Sequence, residues 1–265
     1  MSNPRLRSGH YTRTKPSIKQ FVASLDREPR GAYTFDYLRR SLYRQYRTLL
    51  MVLEAIQGGD RVLSMGAGWA FVEEYVAKAV ESTIFVVDFD DAIISNADLY
   101  RRYFSGSYAG NIADKEWCPP VSNINVALWL DNIEHLAVDP TAILTKLRTC
   151  LADGARLIIS TDNFARLRNI AKLAARRSVV AMPDKLFAEV NFANQGVHRR
   201  EYTFPELRLL LHNAGYDVDI VEYTWQRLDV PLRHLPALAL EYACPIYRPH
   251  MLVQCSPAAK VVPVS

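Results

Sequence analysis

Paired cysteines, long apolar runs and dense basic blocks are all missing from this sequence. The four cysteines, Cys118, Cys150, Cys244 and Cys255, form no CxxC pair. That spacing suits free thiols in a reducing compartment and speaks against a disulfide frame or a zinc site. No apolar run approaches the roughly 20 residues that span a bilayer. The opening stretch, MSNPRLRSGHYTRTKPS, lacks the apolar segment of a secretory signal. Cytoplasm is therefore the expected location. Basic residues exceed acidic ones by 32 to 28, yet they are scattered and form no aromatic-interleaved stripe, so nucleic acid is not the expected partner. There are no repeats and no low-complexity tract. What is present is 265 residues, 49% hydrophobic, enough for one large domain or a domain with a small lid.

Residues 1–32 are polar and basic and read as an arm; residues 33–265 read as the domain. A helical pattern from Thr34 to Ile56 repeats apolar residues at three and four positions and stops at Gly58 and Gly59. Strands and helices then alternate. Strands are expected at Arg61–Met65, Thr83–Val87, Ile124–Leu130, Arg156–Ser160, Tyr216–Thr224 and Met251–Cys255. Helices are expected at Ala70–Val80, Asp91–Phe104, Pro140–Leu151 and Pro205–Ala214. Continuous apolar strands alternating with helices predict an α/β fold, a doubly wound, mostly parallel sheet covered on both faces. Residues 164–200 break the rhythm and read as a lid insertion, and the proline-rich 225–250 stretch as a second cover.

The stretch RVLSMGAGWAFVEEYVAKA, residues 61–79, carries Gly66 and Gly68 where the first strand of the series hands over to a helix. Glycine there permits positive φ and close approach of a ligand to the backbone. The third glycine of a dinucleotide loop is replaced by Ala70, and Ser64 stands where such loops often carry an acid. Asp88 ends the next strand about twenty residues on, where a carboxylate can accept both hydroxyls of a ribose. The competing role for Asp88 is a helix cap, which Asp90 or Asp91 could fill instead.

Four segments together resemble the class I S-adenosylmethionine-dependent methyltransferases, most closely the small-molecule branch that methylates quinones, sugars and natural products. They are VLSMGAGWA, VVDFDDAII, ADKEWCPPVSNINVALWLDNIEHL (113–136) and LRTCLADGARLIISTDNFARL (147–167). A fifth, HRREYTFPELRLLLHNAGY (198–216), is similar to a later stretch of the family. The resemblance covers residues 61–216 and implies a seven-stranded Rossmann-like sheet with S-adenosyl-L-methionine as cofactor. By the resemblance, Gly66 and Gly68 face its methionine part, Asp88 its ribose, Asp114 with Lys115 its adenine, and Asp131 the transferable methyl. Ser64 would hydrogen-bond without adding charge, which implies weakened affinity. Asn125 and Asp162 also depart from the family pattern, at positions of an aspartate and a proline.

Methyl transfer to oxygen needs a base, worth about 10²–10⁴-fold. His135, just past the strand Ile124–Leu130, which matches the family's fourth strand by the resemblance, and His198, after the lid, are the candidates; each could equally be structural. Asp131, Glu134 and His135 would share one face if helical and could then hold a metal, but no metal is expected. The arginines Arg166, Arg168, Arg176, Arg177, Arg199 and Arg200 either read phosphate or carboxylate on the acceptor or form a solvated face. The expected acceptor is a small or saccharide-like molecule, methylated at oxygen, and a homodimer is compatible with the sequence. Two further readings stay open: a methyltransferase-like scaffold without activity, motivated by Ser64 and Asn125, and an NAD(P)-dependent oxidoreductase.

Overall fold

The structure, a computed structural model, describes residues 5–6, 15–27, 32–180, 197–226 and 235–258. Strands β2 (Arg61–Met65), β3 (Thr83–Asp88), β4 (Gly106–Ala109), β5 (Ile124–Leu130), β6 (Leu151–Asp162), β7 (Tyr216–Thr224) and β8 (His250–Pro257) form one sheet. A two-residue strand β1, Arg5–Leu6, extends it beside β7. The order is β1-β7-β8-β6-β5-β2-β3-β4. All neighbours are parallel except β8, which runs antiparallel to both β6 and β7. The chain leaves β2 toward β3 and β4, then returns to β5 on the other side of β2. The reversal of strand order lies between β2 and β5, where open parallel sheets bind ligands at their carboxyl ends.

Both faces are buried, as a parallel sheet requires. Val62, Ile84, Val86, Val126 and Leu128 pack with α1 (Ile18–Ser24), α2 (Ala32–Ala55), α3 (Phe71–Ala79) and α5 (Ala97–Tyr103). The alternate residues Leu63, Met65, Phe85, Val87, Ala127 and Trp129 pack with α6 (Pro140–Cys150) and α8 (Phe204–Asn213) on the other face. This is the period of two expected of a strand.

Several sequence expectations change. The helix expected over 91–104 is two, α4 (Asp90–Ser95) and α5. Asn96 leaves helical geometry at φ −113°, and its amide donates to the Ala92 carbonyl at 3.0 Å, closing α4. Strand β4 was not anticipated, because GSYA has no apolar run and alternates half-buried with exposed residues. The N-terminal arm is not simply loose, since a capping box of Ser17 and Gln20 opens α1 and Phe21 is fully buried. Within the expected lid lies α7 (Leu167–Ala174), and within the second cover α9 (Leu235–Ala243). Residues 181–196 and 227–234 of these two stretches fall outside the described residues. Among the described residues, no helix is long and apolar enough to cross a membrane.

Candidate active site

Strand β2 delivers the chain into the glycine loop at its carboxyl end. Gly66 sits at φ +69° and Gly68 at φ +52°. A Cβ on Gly66 would lie 2.2 Å from Nδ2 of Asn132, and Asn132 is pinned because Trp129 Nε1 donates to its Oδ1 at 2.9 Å. Only glycine fits. Ala70, in place of a third glycine, adopts φ +48° as the residue before α3. It carries the roughly 1–2 kcal/mol penalty of a left-handed Cβ, and the fold tolerates it.

Asp88, at the end of β3, is buried against this loop. Its Oδ2 accepts from Gly68 N at 2.8 Å and its Oδ1 from Phe89 N at 2.8 Å. Tyr100 Oη donates to the Gly68 carbonyl at 2.7 Å, fixing the loop from below. Burial pushes the Asp88 carboxyl up to about 6, although the two N–H groups favour its charged form. Helix α4 starts without a side-chain cap, so Asp88 is not held by capping duty.

In front of these groups lies a cavity of about 310 Å³, lined by Gly66, Asp88, Asp114, Asn132 and His135, with Ile112 and Leu136 among its apolar walls. That volume is at the lower end of small-molecule sites. Four of the sequence candidates, Gly66, Asp88, Asp114 and His135, therefore meet around one space, and Gly68 borders it through Asp88. Ser64, Lys115 and Asp131 do not line it. Lys115 is exposed, and its carbonyl accepts from Lys146.

Ser64 is fully buried in β2, and its hydroxyl donates to Glu73 Oε1 of α3 at 2.7 Å. The carboxylate missing from the strand is thus supplied by the helix. Glu73 escaped sequence reading. Its signal was an acid beside Phe71, Val72 and Val76 on a face that turns out to be core. Asn125 is also structural, its Oδ1 accepting from Arg61 N at 2.9 Å at the amino end of the sheet, the edge opposite the cavity.

Asp131 follows β5 at φ +50°. Its carboxylate faces Arg44 Nη2 at 3.0 Å, His250 Nε2 at 3.1 Å and the Ser160 hydroxyl at 2.8 Å. Burial opposes its charge, but Arg44 and His250 hold its carboxyl well below the usual range. The 3₁₀ turn that follows spans only Ile133–His135, so Asp131, Glu134 and His135 do not share the helical face on which metal binding depended. His250 continues the chain, its Nδ1 3.2 Å from Asp162 Oδ1. Asp162, the residue in place of proline, then meets Arg166 at 2.6 Å and His198 at 3.2 Å. A buried chain of alternating charge therefore runs from α2 along the carboxyl ends of β5 and β6, through the first residue of β8. Arg44 and His250 were not anticipated, because each sits inside an otherwise ordinary helix or strand pattern.

His135 and His198 meet edge to face, ring centroids 4.9 Å apart. His135 Nδ1 lies 3.0 Å from the Val197 carbonyl. A carbonyl only accepts, so the proton of the neutral ring belongs on Nδ1 and Nε2 keeps its lone pair. His198 is the opposite case. Burial works against its charge, but Asp162 and Glu201, each 3.2 Å from Nδ1, outweigh it and push its pKa up to about 10. The shift favours the imidazolium at neutral pH, the form that has no lone pair to offer as a base.

The sequence matches the methyltransferase domain family over residues 36–221, a span that runs from α2 through the glycine loop to β7. The chain belongs to the methyltransferase domain family. The fold of this methyltransferase is shared with solved structures at low identity. A chain of the complex between the Haloferax volcanii Trm112 methyltransferase activator and a methyltransferase is 14% identical, with a TM-score of 0.59 over 86% of this chain and 92% of that one. The S-adenosylmethionine-dependent methyltransferase of Mesorhizobium loti is 16% identical, with a TM-score of 0.56 over 80% and 96% of the two chains. A similar enzyme from Archaeoglobus fulgidus is 15% identical, TM-score 0.55, over 85% and 99%. No curated protein matches the methyltransferase by sequence.

Proposed function

We propose that this methyltransferase uses S-adenosylmethionine to methylate an oxygen of a small-molecule or saccharide-like acceptor, with His135 as the base. Family membership supports the methyl donor, and the cavity lining supports where the cofactor would lie. Gly66 provides a cradle that a Cβ would fill, and Asp88 lines the same cavity, where its carboxylate, already accepting from Gly68 N and Phe89 N, has lone pairs left to accept from ribose hydroxyls. Asp114 lines the same space and suits an exocyclic amine. When bound, S-adenosylmethionine supplies a sulfonium carbon with a good, neutral leaving group. The protein then has to place the acceptor, exclude water and take its proton. His135 Nε2 is suited to the proton, and the His198 imidazolium, in ring contact with it, to the negative charge left on the oxygen.

The scaffold reading loses its grounds. Glu73 restores the carboxylate beside Ser64, and Asn125 is remote from the cavity. Calorimetric titration with S-adenosylhomocysteine tests the proposal. Saturable one-to-one binding, at least tenfold weaker in Asp88→Ala, is the expected result; absence of binding by the folded wild type rejects it.

A further inference from the structure

Helix α7 is turned inside out. An amphipathic helix on a domain surface buries its apolar stripe, yet the one buried residue of α7 is Asn169. Its side-chain amide donates to the Phe164 carbonyl at 3.0 Å and to Glu201 Oε2 at 2.9 Å, so polar contacts fix the helix to the body. Leu167, Ile170, Leu173 and Ala174 recur at three and four positions and share a face. On that face Ile170 is 41% exposed and Leu173 52%. Arg168 and Lys172, four apart, form a second row, and the exposed Arg176 and Arg177 follow the helix. Residues 163–180 hold five basic side chains and no acid. Arg166 is paired with Asp162 and Glu201; Arg168, Arg176 and Arg177 are exposed cations.

A second apolar surface lies beside the first. Helix α9 has no buried residue, although only Pro236 and Glu241 interrupt its leucines, alanines and tyrosine. Leu235, Leu240, Tyr242 and, in the turn that follows, Ile246 are exposed. Glu241 fastens the helix, its carboxylate accepting from Trp225 Nε1 at 2.8 Å and its carbonyl from Arg248 Nε at 3.1 Å. Both elements flank the carboxyl end of β6, where the Asn163 amide donates to the carbonyls of Ile246 and Arg248 at 2.7 and 2.8 Å. Of the ten large apolar side chains exposed among the described residues, seven lie within 170–180 and 235–246, so the exposure is concentrated there and not scattered. Residues 181–196 and 227–234, outside the described residues, together carry three basic and three acidic residues by sequence. They leave the positive surplus unchanged.

We infer that this corner of the protein docks on an anionic lipid surface, with Ile170, Leu173, Leu240 and Tyr242 entering the headgroup layer and the three exposed arginines meeting lipid phosphates. Exposed apolar tips beside unopposed cations are what an interfacial helix presents to such a surface. A second copy of the chain is the poorer occupant. A two-fold contact sets a patch against itself and would bring these arginines onto arginines. Docking of this kind needs no methyl-transfer chemistry and is separate from the proposed activity.

Co-sedimentation of the full-length protein with phosphatidylcholine vesicles containing about 30% phosphatidylglycerol tests the docking. Saturable binding is expected, at least tenfold weaker on pure phosphatidylcholine and in about 0.5 M NaCl, where exposed charges are screened. Ile170→Ser/Leu173→Ser and Arg176→Glu/Arg177→Glu should each weaken it at least tenfold. Ile94→Ser and Arg101→Glu, exposed positions on α4 and α5, should leave it within about twofold. A urea midpoint equal to that of wild type checks that each variant is folded. No vesicle binding, binding untouched by the Ile170/Leu173 variant, or equal loss in the two controls overturns the inference. Loss in the arginine variant alone would mark a site for soluble polyanions and overturns it as well. Self-association that the Ile170/Leu173 variant abolishes, without vesicle binding, would give the face to a second copy.

Discussion

The hydroxyl of Ser64 and the carboxylate of Glu73 face each other at 2.7 Å beneath the glycine loop, both almost wholly excluded from solvent. The strand gives the short partner and the helix the charged one. An acid at position 64 would press two carboxylates together in a place where neither can reach water. The cost of a buried unpaired charge is about 3–5 kcal/mol. Ser64→Asp is therefore expected to lower stability by that order in urea unfolding at pH 7. Ser64→Asp/Glu73→Gln, with one carboxylate again, should recover most of it. If the single variant is as stable as wild type, the pair does not hold the loop in this way.

Gly66 is where the loop has no room. The clash with Asn132 and the positive φ act together, and Trp129 prevents Asn132 from swinging aside. Gly66→Ala should cost about 1–3 kcal/mol in thermal or urea unfolding and weaken S-adenosylhomocysteine at least tenfold. Ala67→Gly, one residue on, adds no atoms and should leave affinity within about threefold. Equal effects of the two substitutions would argue against close contact between ligand and Gly66.

Asp88 titrates near 6 because its burial disfavours the carboxylate. Ribose hydroxyls donate to the carboxylate and not to the protonated acid, so ligand binding should pull this pKa down and release a proton. S-adenosylhomocysteine affinity is expected to be flat above pH 7 and to fall below 6, by up to tenfold per pH unit. Proton release should be visible as a buffer-dependent binding enthalpy near pH 6. Asp88→Asn should bind weakly and without this slope. A wild-type affinity independent of pH from 5 to 8 would contradict the role.

The parts of the molecule that show in the sequence are those set by local pattern. The spans Ile124–Leu130 and Tyr216–Thr224 are read to the residue, the first as an apolar run and the second as β-branched and aromatic residues interspersed with acids after the Gly215 turn. That Gly66, Asp88, Asp114 and His135 line one cavity follows from loop, strand end and turn, which place them at one edge of one sheet. The charge chain was not. Arg44 and His250 are 206 positions apart in the numbering and meet only at Asp131, and no periodicity reports such a contact. The partners of Asp131 stayed hidden for the same reason. Its position at the strand end was right, but its carboxylate turned to partners that the fold alone supplies. The substitution of Ser64 looked like a loss because its compensation, Glu73, lies on another element.

His198 carries the last prediction, since its charge depends on the company it keeps. Asp162 and Glu201 contact its Nδ1, Arg166 and His250 share those carboxylates, and His135 and Glu134 complete its surroundings. Its folded pKa of about 10 lies above the ordinary 6.5. The stabilisation is therefore complete below pH 6.5 and fades as pH rises through 10. His198→Gln is expected to cost about 1–3 kcal/mol at pH 6, a figure reduced from the full shift because the ring is about one-third exposed. That gap to wild type should shrink as pH is raised to 10. Urea unfolding of both proteins at pH 6, 8 and 10 measures it. His198→Lys, which keeps a cation beside the two carboxylates, should lie nearer wild type at pH 6 than the glutamine variant does. A gap that stays constant across this range would mean that His198 contributes packing and no charge.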